Sequence, residues 1–240
     1  MTALFIFFIC SSFISLGPPN DLKNETIILI GDSQMEGKWG TMGPRLEEIL
    51  TARGAKVIRL GVGASGASFW NKTLDGKRSR LTTKRTRRWT RDYLKKLNPT
   101  QIIVSLGGND SSFGRYGKHI KAVRYYHFKH TSPLMKKLKI ITPNVSWFGP
   151  SHRWRSEYNI KKRIKVKRGR KITSEVLKEF ATLNEVRYTS MLDWVSKDKR
   201  LKEASPRQIR YDKVHYKDRG SIKSATWYAE TIAKNIYQTN

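Results

Sequence analysis

Thr26-Ile27-Ile28-Leu29-Ile30 is an apolar run too short for a helix, and it stops at Gly31 before Asp32-Ser33. A run of this kind reads as a buried strand delivering a polar side chain into a turn. The same form recurs along the chain. Lys56–Leu60 empties into Gly61-Val62-Gly63-Ala64-Ser65-Gly66, and Gln101–Leu106 into Gly107-Gly108-Asn109-Asp110. Val145–Phe148 ends at Gly149-Pro150, and Val186–Leu192 is a fifth run. Helical patterns lie between them. Pro44, Leu46, Ile49 and Leu50 open one that stops near Arg53-Gly54, and Pro133 breaks another over about 118–138. A third places Val176, Leu177, Phe180, Ala181 and Leu183 on one face, with Thr173 or Ser174 as its cap. The last follows Gly220, with Ile222, Ala225, Ala229, Ile232, Ala233 and Ile236 as its apolar positions. Strands alternating with helices predict a parallel sheet covered on both faces. Ligands of such sheets bind at the carboxyl ends of the strands.

A chain of 240 residues makes one large domain or two small ones. Residues 1–20 read as an apolar signal peptide or short anchor plus a linker, and 21–240 as the folded domain. The segment Ala3–Leu16 is too short for a comfortable span and has the length of a signal h-region, although no Lys or Arg precedes it. Gly17-Pro18-Pro19-Asn20 breaks the chain after it. The expected localisation is therefore secreted or membrane-anchored, or cytoplasmic if that segment is not a signal. Cys10, the only cysteine, lies in the segment. Beyond it, disulfides, a cysteine nucleophile and thiolate metal sites are excluded.

Charge is the strongest compositional bias: 48 Lys+Arg against 19 Asp+Glu, a formal net charge of +29. Such a balance favours anionic partners and does not bear on fold. Two stretches concentrate it. From Lys77 to Lys96, ten cations accompany Trp89, Tyr93, Leu94 and Leu97, a pattern that predicts a basic helix with one buried face. From Arg153 to Lys171 another ten follow the fourth strand, so Arg153, Arg155, Lys161, Lys162 and Arg163 are expected at the strand-end edge, as contacts for whatever binds there.

Four short motifs carry chemistry. A Ser at a strand-to-helix turn, as Ser33 is, has an exposed hydroxyl near helix N–H donors, though Gly-Asp-Ser is also ordinary turn chemistry. The glycines at 61, 63 and 66 allow close backbone approach and leave N–H groups free. They also fit G-x-G-x-x-G, but the lysine of a phosphate loop is absent and the next strand ends in glycines instead of an acid. Asn109 can aim an amide N–H at a developing oxyanion, or serve an Asx turn. Asp212, three positions before His215, can orient the imidazole so that its other nitrogen acts as a base. His127 and His130 lack a third metal ligand and read as exposed helical histidines; His119 and His152 have no evident partner. One topology brings Ser33, Gly66, Asn109 and His215 to the same edge.

In order and spacing these motifs resemble the SGNH (GDSL) hydrolases. Gly31-Asp32-Ser33 is similar to the family's first block, Gly63-Ala64-Ser65-Gly66 to its glycine block, Gly107-Gly108-Asn109-Asp110 to G-x-N-D, and Asp212-Lys213-Val214-His215 to D-x-x-H. The chain departs from the pattern at Gly61, where the family often has Asn, and at Tyr216, where Pro often follows the His. The resemblance implies a three-layer α/β/α sandwich on a five-stranded parallel sheet, flavodoxin-like in topology. It also implies Ser33 as nucleophile and His215 as base, oriented by Asp212. The oxyanion hole would be the N–H groups of Ser33 and Gly66 with the Asn109 side chain. No cofactor, metal or obligate protein partner is implied.

The chemistry so implied is ester hydrolysis through a serine acyl-enzyme. The expected substrate is an acetyl or short-chain acyl ester on an acidic polymer such as an anionic polysaccharide, because a basic rim suits one and a lipase rim would be apolar. The alternatives are a thioesterase or lysophospholipase of the same fold, or an anionic-polymer or nucleic-acid binding module with little turnover. Non-specific nucleic-acid binding is expected in any case.

Overall fold

The computed structural model describes residues 22–110, 120–150, 160–197, 199–200, 215–218 and 223–237, with the side chains of 160–167, 194–196 and 237 outside that description. The apolar N-terminal segment with Cys10, Arg153, Arg155, Asp212, His119 and His152 fall outside it, as do the side chains of Lys161, Lys162 and Arg163.

Five parallel strands form one sheet: β1 (Thr26–Gly31), β2 (Lys56–Gly61), β3 (Gln101–Ser105), β4 (Val145–Phe148) and β5 (Arg187–Thr189). Their order is β2-β1-β3-β4-β5. From β1 the chain crosses outward to β2 and then back to β3 on the other side, so a crevice opens beyond the carboxyl ends of β1 and β3. Strands buried on both faces must be apolar at nearly every position, which is why the runs stood out in sequence. Alternate side chains serve two cores. Ile28, Ile30, Ile102 and Val104 pack on one face, and Ile27, Leu29 and Ile103 on the other.

The first face is covered by α3 (Ala67–Leu74), α7 (Ser132–Lys139) and α8 (Ile160–Leu183), through Trp70, Leu134, Leu138, Val176 and Leu177. The second is covered by α2 (Met42–Ala52) and the C-terminal helix, α10 (Ser224–Tyr237), through Leu46, Leu50, Ala225, Ala229 and Ile232. The fold is therefore the expected three-layer α/β/α sandwich. The remaining helices are short: α1 (Ser33–Glu36), α4 (Lys84–Arg87), α5 (Arg91–Lys96), α6 (Ile120–Tyr126) and α9 (Met191–Lys197).

Four expectations are corrected. The basic stretch 77–96 is not one helix but a turn followed by α4 and α5. Thr83 accepts the Thr86 N–H and Thr90 the Tyr93 N–H, and these two caps restart the chain twice. Thr173 and Ser174 cap nothing: α8 runs through them, and the Ser174 hydroxyl lies 2.7 Å from the Tyr188 hydroxyl. The fifth strand is shorter than the apolar pattern, because Met191 already begins α9. His127 is fully buried, not exposed. It sits in a π-turn (His127–Thr131) between α6 and α7, with Nδ1 2.7 Å from the Thr131 hydroxyl.

Candidate active site

β1 ends at Gly31 because there is no room for a side chain there: a Cβ would stand 2.3 Å from the Met35 Cγ. Asp32 then caps α1, its carboxylate accepting the Gln34 N–H at 2.9 Å, and Ser33 is the first residue of the helix. α1 is too short to hold itself. Arg59, from β2, donates to the carbonyls of Met35 (2.7 Å) and Glu36 (2.6 Å) and is itself paired with Glu47 (2.6 Å). Gly61 is obligatory in the same contact. A Cβ at 61 would lie 2.3 Å from the Glu36 N, so this chain has no space for the asparagine common there in the resembling family.

The Ser33 Oγ lies 2.8 Å from the His215 Nε2, and both residues are half-buried. The seat of His215 is built by its neighbour. The Tyr216 N–H donates to the Gln34 Oε1 (3.1 Å), its carbonyl accepts the Thr41 N–H (3.0 Å), and its buried hydroxyl donates to that of Tyr228 (3.0 Å). A proline at 216 would have no N–H for Gln34. Asp218 ties the same segment to α10, accepting from the Ala225 and Thr226 N–H groups and from Arg45.

Gly66 and Asn109 meet at this edge. Gly66 precedes α3 and backs onto the buried Asp110, whose Oδ1 would stand 2.1 Å from a Cβ at 66. The Asn109 Nδ2 donates to the Ser65 carbonyl (2.8 Å) and to the Asp32 Oδ2 (3.3 Å), so it bridges the glycine loop to the turn carrying Ser33. Ser65 anchors the other side of that loop: its hydroxyl donates to the Gly31 carbonyl (3.3 Å) and accepts from the Trp70 Nε1 (3.1 Å). Among the described residues, the backbone N–H groups of Ser33 and Gly66 meet no acceptor. Buried or half-buried N–H groups are nearly always paired, so these two donors are available to an acceptor on a bound molecule.

Sequence reasoning missed several groups that shape the site. Asp110 accepts from the Ala67 N–H (3.2 Å) and the Tyr126 hydroxyl (2.5 Å), and burial pushes its carboxyl up to about 6. Burial next to that carboxyl also raises the Tyr126 phenol, which stays a donor. Arg170 is buried on α8, its Nη2 donating to the Gly108 carbonyl (3.1 Å). A Cβ at 108 would stand 3.3 Å from the Asp32 Oδ2 and 3.7 Å from the Arg170 Nη2, so the two charged groups flank that glycine. Among the described side chains of the second basic stretch, Arg168, Arg170 and Lys171, Arg170 is the one bonded to this edge. A cleft of about 540 Å³ opens from Gly66 and Asn109 and is bordered by Lys72 and by Arg80 of the first stretch. Lys72 belongs to neither stretch, and its spacing gave no signal.

No protein-family model matches the sequence, and no curated protein is similar to it. Solved structures are similar in fold. A catalytic mutant of Axe2, an acetylxylan esterase from Geobacillus stearothermophilus, superposes with a TM-score of 0.59 at 14% identity, over 90% of this chain and 95% of that one. LAE5, an alpha/beta hydrolase enzyme from the metagenome of Lake Arreo, gives 0.54 at 12% identity, over 90% and 96%. A gut microbial diltiazem-metabolizing enzyme gives 0.59 at 18% identity over 88% of this chain, which spans only 46% of that enzyme's length. What these chains share with this one is the architecture, a parallel sheet between two helical layers.

Proposed function

We propose, from the premise of an SGNH (GDSL) hydrolase fold, that the chain hydrolyses carboxylic esters with Ser33 as its nucleophile. The observation that carries this reading is the 2.8 Å approach of the Ser33 Oγ to the His215 Nε2 beside two unpaired N–H groups. Hydroxyl, base and oxyanion donors within one strand-end crevice are the parts acyl transfer needs.

In the proposed cycle the Ser33 Oγ attacks the ester carbonyl carbon as its proton passes to the His215 Nε2. The carbonyl oxygen gains the negative charge and is met by the N–H groups of Ser33 and Gly66 and by the Asn109 amide, which exchanges its 3.3 Å bond to Asp32 for one to this oxygen. Collapse breaks the ester bond, and His215 returns the proton to the leaving alcohol oxygen. Water then attacks the acyl-enzyme with His215 again as base, releasing the acid and restoring Ser33. Asp212 is assigned to orient His215. In support, the catalytic mutants of the acetylxylan esterase replace a Ser, an Asp and a His, the Asp three positions before the His, as in this chain.

The preferred substrate is an acetyl or short-chain ester on an acidic glycan, reached by export or anchorage through residues 1–20. Support for it comes from the net charge of +29 and from the cations beside the site. Turnover of p-nitrophenyl acetate, together with labelling by a serine-directed phosphonate, tests the chemistry. Modification of Ser33 alone is expected. Modification of Ser65, Ser68 or Ser105 instead would overturn the assignment, and binding of nucleic acid with no turnover would favour the binding-module alternative.

A further inference from the structure

The cleft beside Gly66 and Asn109 has a charge arrangement that ester hydrolysis alone does not require. Its walls include the apolar rings of Phe69 and Tyr126, and Leu81, which packs on the core. Two cations border it, Lys72 from α3 and Arg80 from the turn before α4. That turn is ordered: the Ser79 N–H donates to the Thr82 hydroxyl (2.8 Å), and the Thr82 N–H to the Ser79 carbonyl (3.0 Å). Nearby cations are already engaged, Lys77 and Lys137 by Asp75, and Arg85 by the Trp89 ring. The Lys72 ammonium and the Arg80 guanidinium meet no acidic side chain among the described residues. Asp110 is the one acid in the lining, and its oxygens are turned to the Ala67 N–H and the Tyr126 hydroxyl. Two free positive charges with one committed negative charge suit a monoanion better than a phosphate dianion. A guanidinium also matches the fork of a carboxylate.

Resting on the esterase reading, we infer that this cleft is a carboxylate-binding subsite built from Lys72 and Arg80, and that the substrate carries a carboxylate a few atoms from the scissile carbonyl. The cleft starts at two of the proposed oxyanion donors, so a carbonyl bound there directs one arm of the substrate between the apolar walls toward the two cations. The carboxylate can belong to the acyl arm or to the alcohol arm.

Ligand-observed NMR titration of Ser33→Ala protein at low salt separates these cases. The probes are monomethyl succinate, with its carboxylate on the acyl arm, and acetoxyacetate, with its carboxylate on the alcohol arm. Each is compared with its uncharged methyl ester. One of the two acids is expected to bind at least about tenfold more tightly than its neutral counterpart, since paired charges give discrimination of that order. That ratio should fall to near one when Lys72→Gln and Arg80→Gln are added. Equal binding of acid and neutral ester, or a preference that survives the two substitutions, overturns the subsite. A preference lost with the two cations, in a wild-type protein that turns over neither ester, would retain the subsite and reject the esterase reading.

Discussion

Ser33 and His215 are 182 positions apart in sequence and stand 2.8 Å apart in space, Oγ to Nε2, at the carboxyl edge of the sheet. Neither side chain is core packing. Ser33→Ala should therefore keep the fold while lowering kcat by roughly 10³–10⁶, the range for loss of a serine nucleophile. His215→Ala should be nearly as severe, and the double variant little worse than either, because the two act as one unit. Near-native circular dichroism with full p-nitrophenyl acetate turnover in Ser33→Ala would sink the mechanism.

Asn109 has a double connection, to the Ser65 carbonyl and to the Asp32 carboxylate. Both hydrogens of its amide are thus engaged, so to serve an oxyanion it must give up the longer bond, the 3.3 Å contact with Asp32, while the Ser65 carbonyl keeps the amide in place. Asn109→Ala should lower kcat by roughly 10²–10³ with a smaller effect on KM. A folded variant with wild-type kcat would remove Asn109 from the oxyanion hole.

The strands and the turn at Ser33 were legible because a central parallel strand must be apolar throughout and must end where its ligand binds. Asn109 was legible for the same reason, since it follows a glycine-ended strand, whereas His215 follows no strand among the described residues and was legible only through its spacing from Asp212, which lies outside them. What stayed hidden depends on which of many equivalent residues the packing selects. Arg170 lies in a run of cations, and nothing local distinguishes it from Lys171, which is exposed and 3.9 Å from Glu175. The helix expected over 77–96 failed because apolar spacing outweighed Thr83 and Thr90, whose hydroxyls end and restart the chain. His127 was hidden by the cations around it in sequence; it is buried at the start of the π-turn, which no local pattern announced.

Two buried titratable groups give opposite pH dependences. Burial raises Asp110 to about 6, so its native form keeps a proton that the unfolded chain releases near pH 4. Its contribution is fully present below about pH 4 and is lost as pH rises through about 6. Burial lowers His127 to about 3, with His130 a smaller cause. The unfolded imidazole takes up a proton near pH 6.5, so this contribution is present above about 6.5 and lost as pH falls toward 3. Between about pH 4 and 6 the two slopes have opposite signs, each at most about 1.4 kcal/mol per pH unit. Asp110→Asn should therefore make stability rise more steeply with pH in this window, and His127→Asn should make it fall relative to wild type. Urea denaturation at pH 4.5, 5.0 and 5.5 measures both slopes. A change of the same sign in both variants would contradict the burial of one of the two groups.

Salt should separate acidic from neutral substrates. Lys72 and Arg80 border the cleft and Arg170 bonds the Gly108 carbonyl next to Asn109, while Arg153, Arg155, Lys161, Lys162 and Arg163 are the proposed contacts of the second basic stretch. Clustered cations raise the local concentration of an anionic substrate and speed its capture, and the Debye length shrinks from about 30 Å at 0.01 M salt to about 10 Å at 0.1 M. We therefore expect kcat/KM on an acidic acetylated polymer to fall steeply over that range. On p-nitrophenyl acetate, which carries no net charge, it should barely move. Replacing Lys161, Lys162, Arg163 and Lys165 with Gln should flatten the first dependence if that stretch steers the polymer. Persistence of the full salt response in this variant would place the steering outside residues 161–165, and an equal salt response on both esters would separate the basic charge from catalysis altogether.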